Sequence, residues 1–252
     1  MIVGRHALVT GGGTGVGRSI ALALAGQGVD VTICGRREAP LKAVAAESDR
    51  IHAMTADVAD DASMVALYHQ AEAKRGPFDI VVANAGSAES APAYRTSFST
   101  WQKTLDVNLT GAFLTVKPAL AKMAECKAGR IIFVASTAGL KGYAYVAPYV
   151  AAKHGVIGLM RALAAELAKT GVTVNAVCPG FVETDMLAQS VEHIVSKTGR
   201  SAEDARASLA AVNPQGRFIQ PQEVADTVLW LCGDGAASIN GQAISISGGE
   251  TW

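Results

Sequence analysis

Thr10-Gly11-Gly12-Gly13-Thr14-Gly15-Val16-Gly17 follows a short β-branched run and leads into an Ala/Leu-rich helical stretch. Strand, glycines and helix in that order make an anion-binding context. The glycines permit a tight turn and close backbone approach, while free N–H groups and the dipole at the helix start attract a pyrophosphate. A Walker A loop needs G-x-x-x-x-G-K-[ST], but the frame Gly12 to Ser19 has Arg18 where the phosphate-gripping lysine belongs. The strict G-x-G-x-x-G of two-domain dehydrogenases also fails, because the glycines fall as G-x-x-x-G-x-G at Gly11, Gly15 and Gly17. A purely structural turn is the bland alternative. The context favours Gly11, Thr14, Gly15, Val16 and Gly17 as the pyrophosphate cradle of a dinucleotide.

Outward from this turn, short apolar runs alternate with helical stretches. The runs are 7–9, 31–34, 52–56, 80–83, 131–135, 172–177 and 243–246; the stretches are 16–27, 61–75, 104–127, 149–170 and 221–231. Several runs lack a polar alternate position, as strands covered on both faces do, and parallel neighbours need helical crossovers. The expected fold class is therefore α/β, a doubly wound parallel sheet with helices on both faces. No repeat, low-complexity tract or linker divides the chain, which reads as one domain over 1–252. Pro118 removes a backbone donor inside its helix and should kink it. Between Val150 and Leu167 the only charged side chains are Lys153, Arg161 and Glu166, so one face should meet the sheet and the other a second subunit. The segment 184–218 breaks the rhythm with polar, capped pieces, among them a capping box at Ser201 and Asp204, and sits where a substrate lid would.

The 252 residues are 50% apolar and 17% charged, with 22 Lys+Arg against 22 Asp+Glu. A chain of this length buries roughly 70–75% of its unfolded surface without disulfides or metal, and no metal site is expected. Zero net charge supplies no field to draw in phosphate backbones or anionic lipid, which disfavours nucleic-acid and membrane roles and favours a small substrate. Cys34, Cys126, Cys178 and Cys232 form no C-x-x-C pair and read as buried thiols in a reducing compartment. Residues 1–6 carry no apolar signal region and no run reaches the length of a membrane span, so the expected location is cytoplasmic.

In a dinucleotide fold, an acid about 20 positions past the turn takes the ribose 2′-hydroxyl. That place holds Gly35, followed by Arg36 and Arg37. With no carboxylate to repel it and a guanidinium to pair with it, a 2′-phosphate is favoured, hence NADP(H) over NAD(H). Solvated loop charges are the alternative. Tyr149 and Lys153 are four residues apart at the start of a helix and share a face. A phenol is a poor acid or base near neutrality unless a cation favours its phenolate, and Lys153 and an oxidised nicotinamide would both do so. Ser136 follows the run 131–135 at the carboxyl edge, where its hydroxyl could bind a carbonyl oxygen.

With TGGGTGVG at Thr10 to Gly17, Asp57-Val58, ANAG at Ala83 to Gly86, Asn108 in DVNL, Ser136, YVAAK at Tyr149 to Lys153 and PGFVET from Pro179 to Thr184, the chain resembles the short-chain dehydrogenase/reductase family from end to end. The resemblance implies a seven-stranded Rossmann sheet, a catalytic group of Asn108, Ser136, Tyr149 and Lys153, and a homotetramer, with a homodimer the smaller alternative. It makes Tyr149 the proton donor or acceptor and Ser136 the carbonyl anchor. Lys153 would bind the nicotinamide ribose and lower the Tyr149 pKa, and Asn108 would hold a water linking Lys153 to a proton relay. Asp57 and Val58 are implied at the adenine and Asn84 and Gly86 beside the cofactor. Pro179, Gly180, Val182 and Thr184 complete the cofactor set, with Thr184 near the carboxamide. The family's usual NNAG is ANAG here; Ala83 forgoes one structural polar contact.

Within the family, 147–158, 168–186 and 216–226 look nearest to reductases of 3-oxoacyl thioesters, including type II polyketide ketoreductases. The expected reaction delivers hydride from NADPH to C3 of a thioester on coenzyme A or a carrier protein. The alternatives are a secondary-alcohol, polyol or aromatic-alcohol dehydrogenase, and more remotely a non-catalytic NADP sensor. Lys197, Arg200, Arg206 and Arg217 would make a basic entrance, unless Glu192, Glu203 and Asp204 neutralise them. Tyr143 and Tyr145 could shape an acyl or aromatic pocket.

Overall fold

The computed structural model describes residue 2 and residues 5–251; residues 1, 3, 4 and 252, which the N-terminal and whole-chain readings include, lie outside the described residues. Seven strands, β1 His6–Thr10, β2 Asp30–Gly35, β3 Ile51–Thr55, β4 Ile80–Ala83, β5 Gly129–Val134, β6 Val172–Pro179 and β7 Ala243–Ile246, form one sheet in the order β3-β2-β1-β4-β5-β6-β7. Every pairing is parallel. The crossovers are the helices α1 Gly15–Gly26, α2 Glu38–Ala45, α3 Asp61–Arg75, α4 Phe98–Leu105, α5 Gly111–Cys126, α6 Ala147–Glu166, α7 Asp185–Thr198, α8 Ala202–Ala210 and α9 Pro221–Leu231.

Strand side chains alternate between faces, and here both faces are apolar. Leu8, Val81, Ile131, Phe133 and Val174 point to one side, where they pack with Met64 and Leu67 of α3, Val116 and Met123 of α5, and Val156 and Met160 of α6. Val9, Val31, Ile33, Val82 and Ile132 point to the other, against Ile20 and Leu24 of α1, Leu41 of α2, and Val224, Val228 and Leu231 of α9. Each such side chain, taken fully from water, contributes about 1.5–3 kcal/mol relative to exposure. Two layers of helix thus clamp the sheet and leave its carboxyl edge, where the strand order reverses between β1 and β4, open for a ligand.

The single helix expected over 104–127 is two, joined by a π-turn at Asp106–Thr110. The break from α geometry falls there rather than at Pro118, which α5 carries inside its length. The exposed face of α6 presents His154, Gly158, Arg161, Ala162, Ala165 and Glu166, a face of small residues and few charges. Among the described residues, no helix is long and apolar enough to cross a membrane.

Candidate active site

β1 ends at Thr10 and α1 starts at Gly15, so the glycine turn spans the carboxyl edge. Gly11 donates to Cys34 O at 2.7 Å, which ties the turn to β2. Gly11 and Gly15 have φ of +67° and +51°, in the left-handed region that favours glycine. A Cβ on Gly17 would lie 2.3 Å from Gly11 O, a backbone atom that cannot step aside. Thr14 is the N-cap of α1 but its side chain makes no capping bond, and the first turn holds no acid. The leading N–H groups are left for an external anion, which is the donor set a pyrophosphate requires. The residues present therefore fit a dinucleotide.

Thr10 and Asn84 hold the turn in place. The Thr10 hydroxyl accepts from Asn84 N and Ala85 N at 3.0 and 3.1 Å, and Asn84 Nδ2 donates to Thr10 O at 2.8 Å. A threonine at a strand end is common, so the sequence alone does not single out Thr10. Its signal is that it is buried yet polar. Thr184, at the start of α7, comes over the turn: a Cβ on Gly15 would sit 3.1 Å from Thr184 Cγ2. Val182 bridges to Ile219 in parallel, so the excursion 184–218 is pinned at both ends.

At the β2 end, Arg36 and Arg37 are exposed, and among the described residues neither is in an ion pair. Beside them the β3 end brings Asp57, whose Oδ1 accepts from Ala59 N at 3.0 Å. Val58 is buried and packs towards Gly111.

The side chains expected to carry proton transfer come from β5, α6 and the π-turn. The Ser136 hydroxyl lies at the β5 end, 3.5 Å from Pro179 O, and accepts from Ala138 N at 3.1 Å. Tyr149 shares a hydrogen bond with Ser136 that favours its phenolate, but burial dominates and pushes its pKa up to about 12. The Lys153 ammonium lies 5.5 Å from the Tyr149 ring centre and donates to Val134 O at 2.9 Å. Burial lowers its pKa to about 8. The expected depression of the Tyr149 pKa by Lys153 is not seen: the lowering influence comes from Ser136, and desolvation of the half-buried phenol outweighs it. Asn108 is buried in the π-turn, where Nδ2 donates to Ser87 O at 2.8 Å and Thr104 O at 2.9 Å. Its Oδ1 accepts from Ser87 N at 3.3 Å. A Cβ on Gly86 would come within 2.7 Å of Asn108 Oδ1 and 3.7 Å of Lys153 Nζ, so Gly86 is the gap between those two side chains.

Three expectations are corrected. Cys34, Cys178 and Cys232 are buried, but Cys126 is exposed near the end of α5. Two of the four cations expected at a basic entrance are neutralised, Arg206 by Glu183 at 2.6 Å and Arg217 by Glu223 at 2.7 Å, while Lys197 and Arg200 are exposed and, among the described residues, in no ion pair. Those carboxylates are not the ones the local sequence suggested, because tertiary proximity chose them. The capping of α8 shows its Ser201 half, with the hydroxyl accepting from Asp204 N at 3.0 Å. Glu250 and Thr137 were not foreseen. Both converge with Tyr143, a pocket wall by its place in the sequence.

A family model described as short chain dehydrogenase matches residues 5–194. A Streptomyces coelicolor protein described as a ketoacyl reductase is 41% identical over 249 residues, covering 96% of this chain and 95% of its own length. A 3-oxoacyl-[acyl-carrier-protein] reductase of Aquifex aeolicus is 37% identical, covering 98% and 97%. The crystal structure of an actinorhodin polyketide ketoreductase variant with NADPH superposes with a TM-score of 0.95 at 39% identity, covering 99% of each chain.

Proposed function

Because the chain belongs to the short-chain dehydrogenase family, oxidoreductases acting on CH–OH and C=O groups, we propose that it is an NADPH-dependent ketoreductase of 3-oxoacyl thioesters borne by coenzyme A or an acyl carrier protein. The observation that carries this reading is the convergence of Ser136, Tyr149 and Lys153 at the carboxyl edge, beside a glycine cradle flanked by two unpaired arginines. Arg36 and Arg37 hold the 2′-phosphate, with NAD(H) the weaker cofactor, and Gly11, Thr14, Gly15, Val16 and Gly17 hold the pyrophosphate. Asp57 and Val58 flank the adenine. Asn84, Gly86, Pro179, Gly180, Val182 and Thr184 line the nicotinamide end.

When bound, the reduced nicotinamide supplies a hydride to the carbonyl carbon. Ser136 donates a hydrogen bond to the carbonyl oxygen, and Tyr149 transfers its phenolic proton to the same oxygen. The pKa of Tyr149, pushed up to about 12, keeps that proton in place until oxygen basicity rises at the transition state. The Lys153 ammonium stabilises the phenolate left behind and orients the cofactor ribose. Both Nδ2 protons of Asn108 are committed to Ser87 and Thr104. Any water it holds for reprotonating Tyr149 must therefore donate to an oxygen of Asn108. The excursion 184–218 acts as the substrate lid. The small-residue face of α6 supports self-association as a homotetramer or homodimer, and the protein works in the cytoplasm.

The test is the initial rate of acetoacetyl-CoA reduction with NADPH and NADH in parallel. Turnover with NADPH well above NADH supports the reading. No turnover in a protein that still binds NADPH overturns the thioester and shifts the reading to an alcohol dehydrogenase.

A further inference from the structure

Next to Ser136, the structure holds a polar cluster that the proton-transfer chemistry does not use. Glu250 follows β7, and its side chain is only 2% exposed. Its Oε1 accepts from the Tyr143 hydroxyl and lies 3.0 Å from Lys141 Nζ, while Oε2 is buried with no hydrogen-bond partner. A buried acceptor left unpaired costs stability, so this carboxylate is not explained by holding the fold together. Its position is close to the reacting group. A Cβ on Gly180 would lie 3.0 Å from Glu250 Oε2, and the carbonyl of the adjacent Pro179 is the one 3.5 Å from Ser136 Oγ. Tyr143 is near enough to Tyr149 for a charge on one to raise the pKa of the other.

Proton counting decides what this cluster can read. A phenol carries one proton and a paired carboxylate carries none. The Tyr143 proton therefore goes to Glu250, and the 2.6 Å contact with Thr137 is made by the Thr137 hydroxyl donating to the phenol oxygen. Burial and Glu250 both raise the Tyr143 pKa, so the phenol stays protonated around neutral pH. What remains is a lone pair on a half-buried Tyr143 oxygen, fixed as an acceptor. Lys141 offsets the charge of Glu250 and would repel an ammonium, which leaves a neutral hydroxyl as the matching donor.

We propose that Tyr143 and Glu250 form a specificity subsite that accepts a hydrogen bond from a hydroxyl or phenol carried by the ketone substrate. The subsite rests on the ketoreductase reading for its substrate, and Glu250 acts through Tyr143 as a positioning residue.

The probes are 1-tetralone and its phenolic monohydroxy isomers, titrated calorimetrically onto the protein saturated with NADP⁺ and assayed for reduction with NADPH. At least one hydroxy isomer should bind roughly ten- to a hundredfold tighter than the parent ketone, as a hydrogen bond from a buried donor warrants. Tyr143→Phe removes the acceptor, and the preference should fall below about threefold. Glu250→Leu frees the Tyr143 proton to face the substrate, so the methoxy counterpart of the preferred isomer, which can only accept, should bind this variant more tightly than the unaltered protein. Tyr143→Phe decides alone if Glu250→Leu does not fold. Absence of any preference in the unaltered protein, or its survival in Tyr143→Phe, overturns the subsite. Preference without reduction of any tetralone upholds the subsite and leaves the ketoreductase reading to the acetoacetyl-CoA assay; reduction without preference overturns the subsite and upholds that reading.

Discussion

Lys153→Met is expected to stabilise the ligand-free protein while abolishing its chemistry. Lys153 is 4% exposed, and burial lowers its pKa from 10.5 to about 8. At about 1.36 kcal/mol per pKa unit, holding the charged form in the fold at pH 7 costs about 3 kcal/mol. Methionine keeps the length of the side chain and removes the charge. It also removes the donor to Val134 O, a loss of about 1 kcal/mol, which leaves a net gain of about 2 kcal/mol. For a chain of this size that is roughly 4–8 °C in Tm. The pH dependence provides the control. A base whose folded pKa lies below its unfolded value binds more protons when unfolded, so stability rises with pH between about 8 and 10.5. The advantage of the variant should therefore shrink as pH is raised through that window. The assay is denaturant unfolding of both proteins at neutral and alkaline pH, without cofactor. A variant less stable than its parent at pH 7, or a difference that does not change with pH, would refute the burial argument.

Tyr149→Phe should lower kcat by about 10²–10⁴ while leaving NADPH affinity nearly intact, measured by steady-state rates alongside cofactor titration. Arg36→Ala should raise the KM for NADPH about ten- to a hundredfold with little change for NADH; an equal effect on both cofactors excludes a 2′-phosphate contact. Gly17→Ala places a Cβ 2.3 Å from Gly11 O and should weaken cofactor binding by at least about tenfold, because the cradle itself must move; undiminished affinity would show that the turn is not the cradle. In reduction assays kcat/KM should fall as pH rises past about 8, when Lys153 loses the proton that stabilises the Tyr149 phenolate.

The glycine turn, the strand rhythm and the Tyr149–Lys153 spacing were legible because each is local: a turn, a short continuous apolar run, and one helical turn. β4, α3, β7 and α9 fall at the expected residues for the same reason. The break at Asp106–Thr110 was not legible, since DVNL carries no glycine or proline to mark it and the Asn108 side chain is held by Ser87, from another segment. Helix α2 was missed because eight residues containing Pro40 give too short a period. Residue types alone placed Tyr149 beside a cation, but burial, which exists only in the packed fold, moved its pKa upward. The same holds for Glu250. One acid near the chain end has no local signature, and it gains chemical meaning only when the return of β7 brings it to Tyr143, across 107 positions of sequence. The sequence by itself determined the sheet, the glycine turn and the identities of the candidate reactive side chains, because those depend on neighbours along the chain. Tertiary structure alone decided which side chains are desolvated and which distant charges meet, because both depend on neighbours in space.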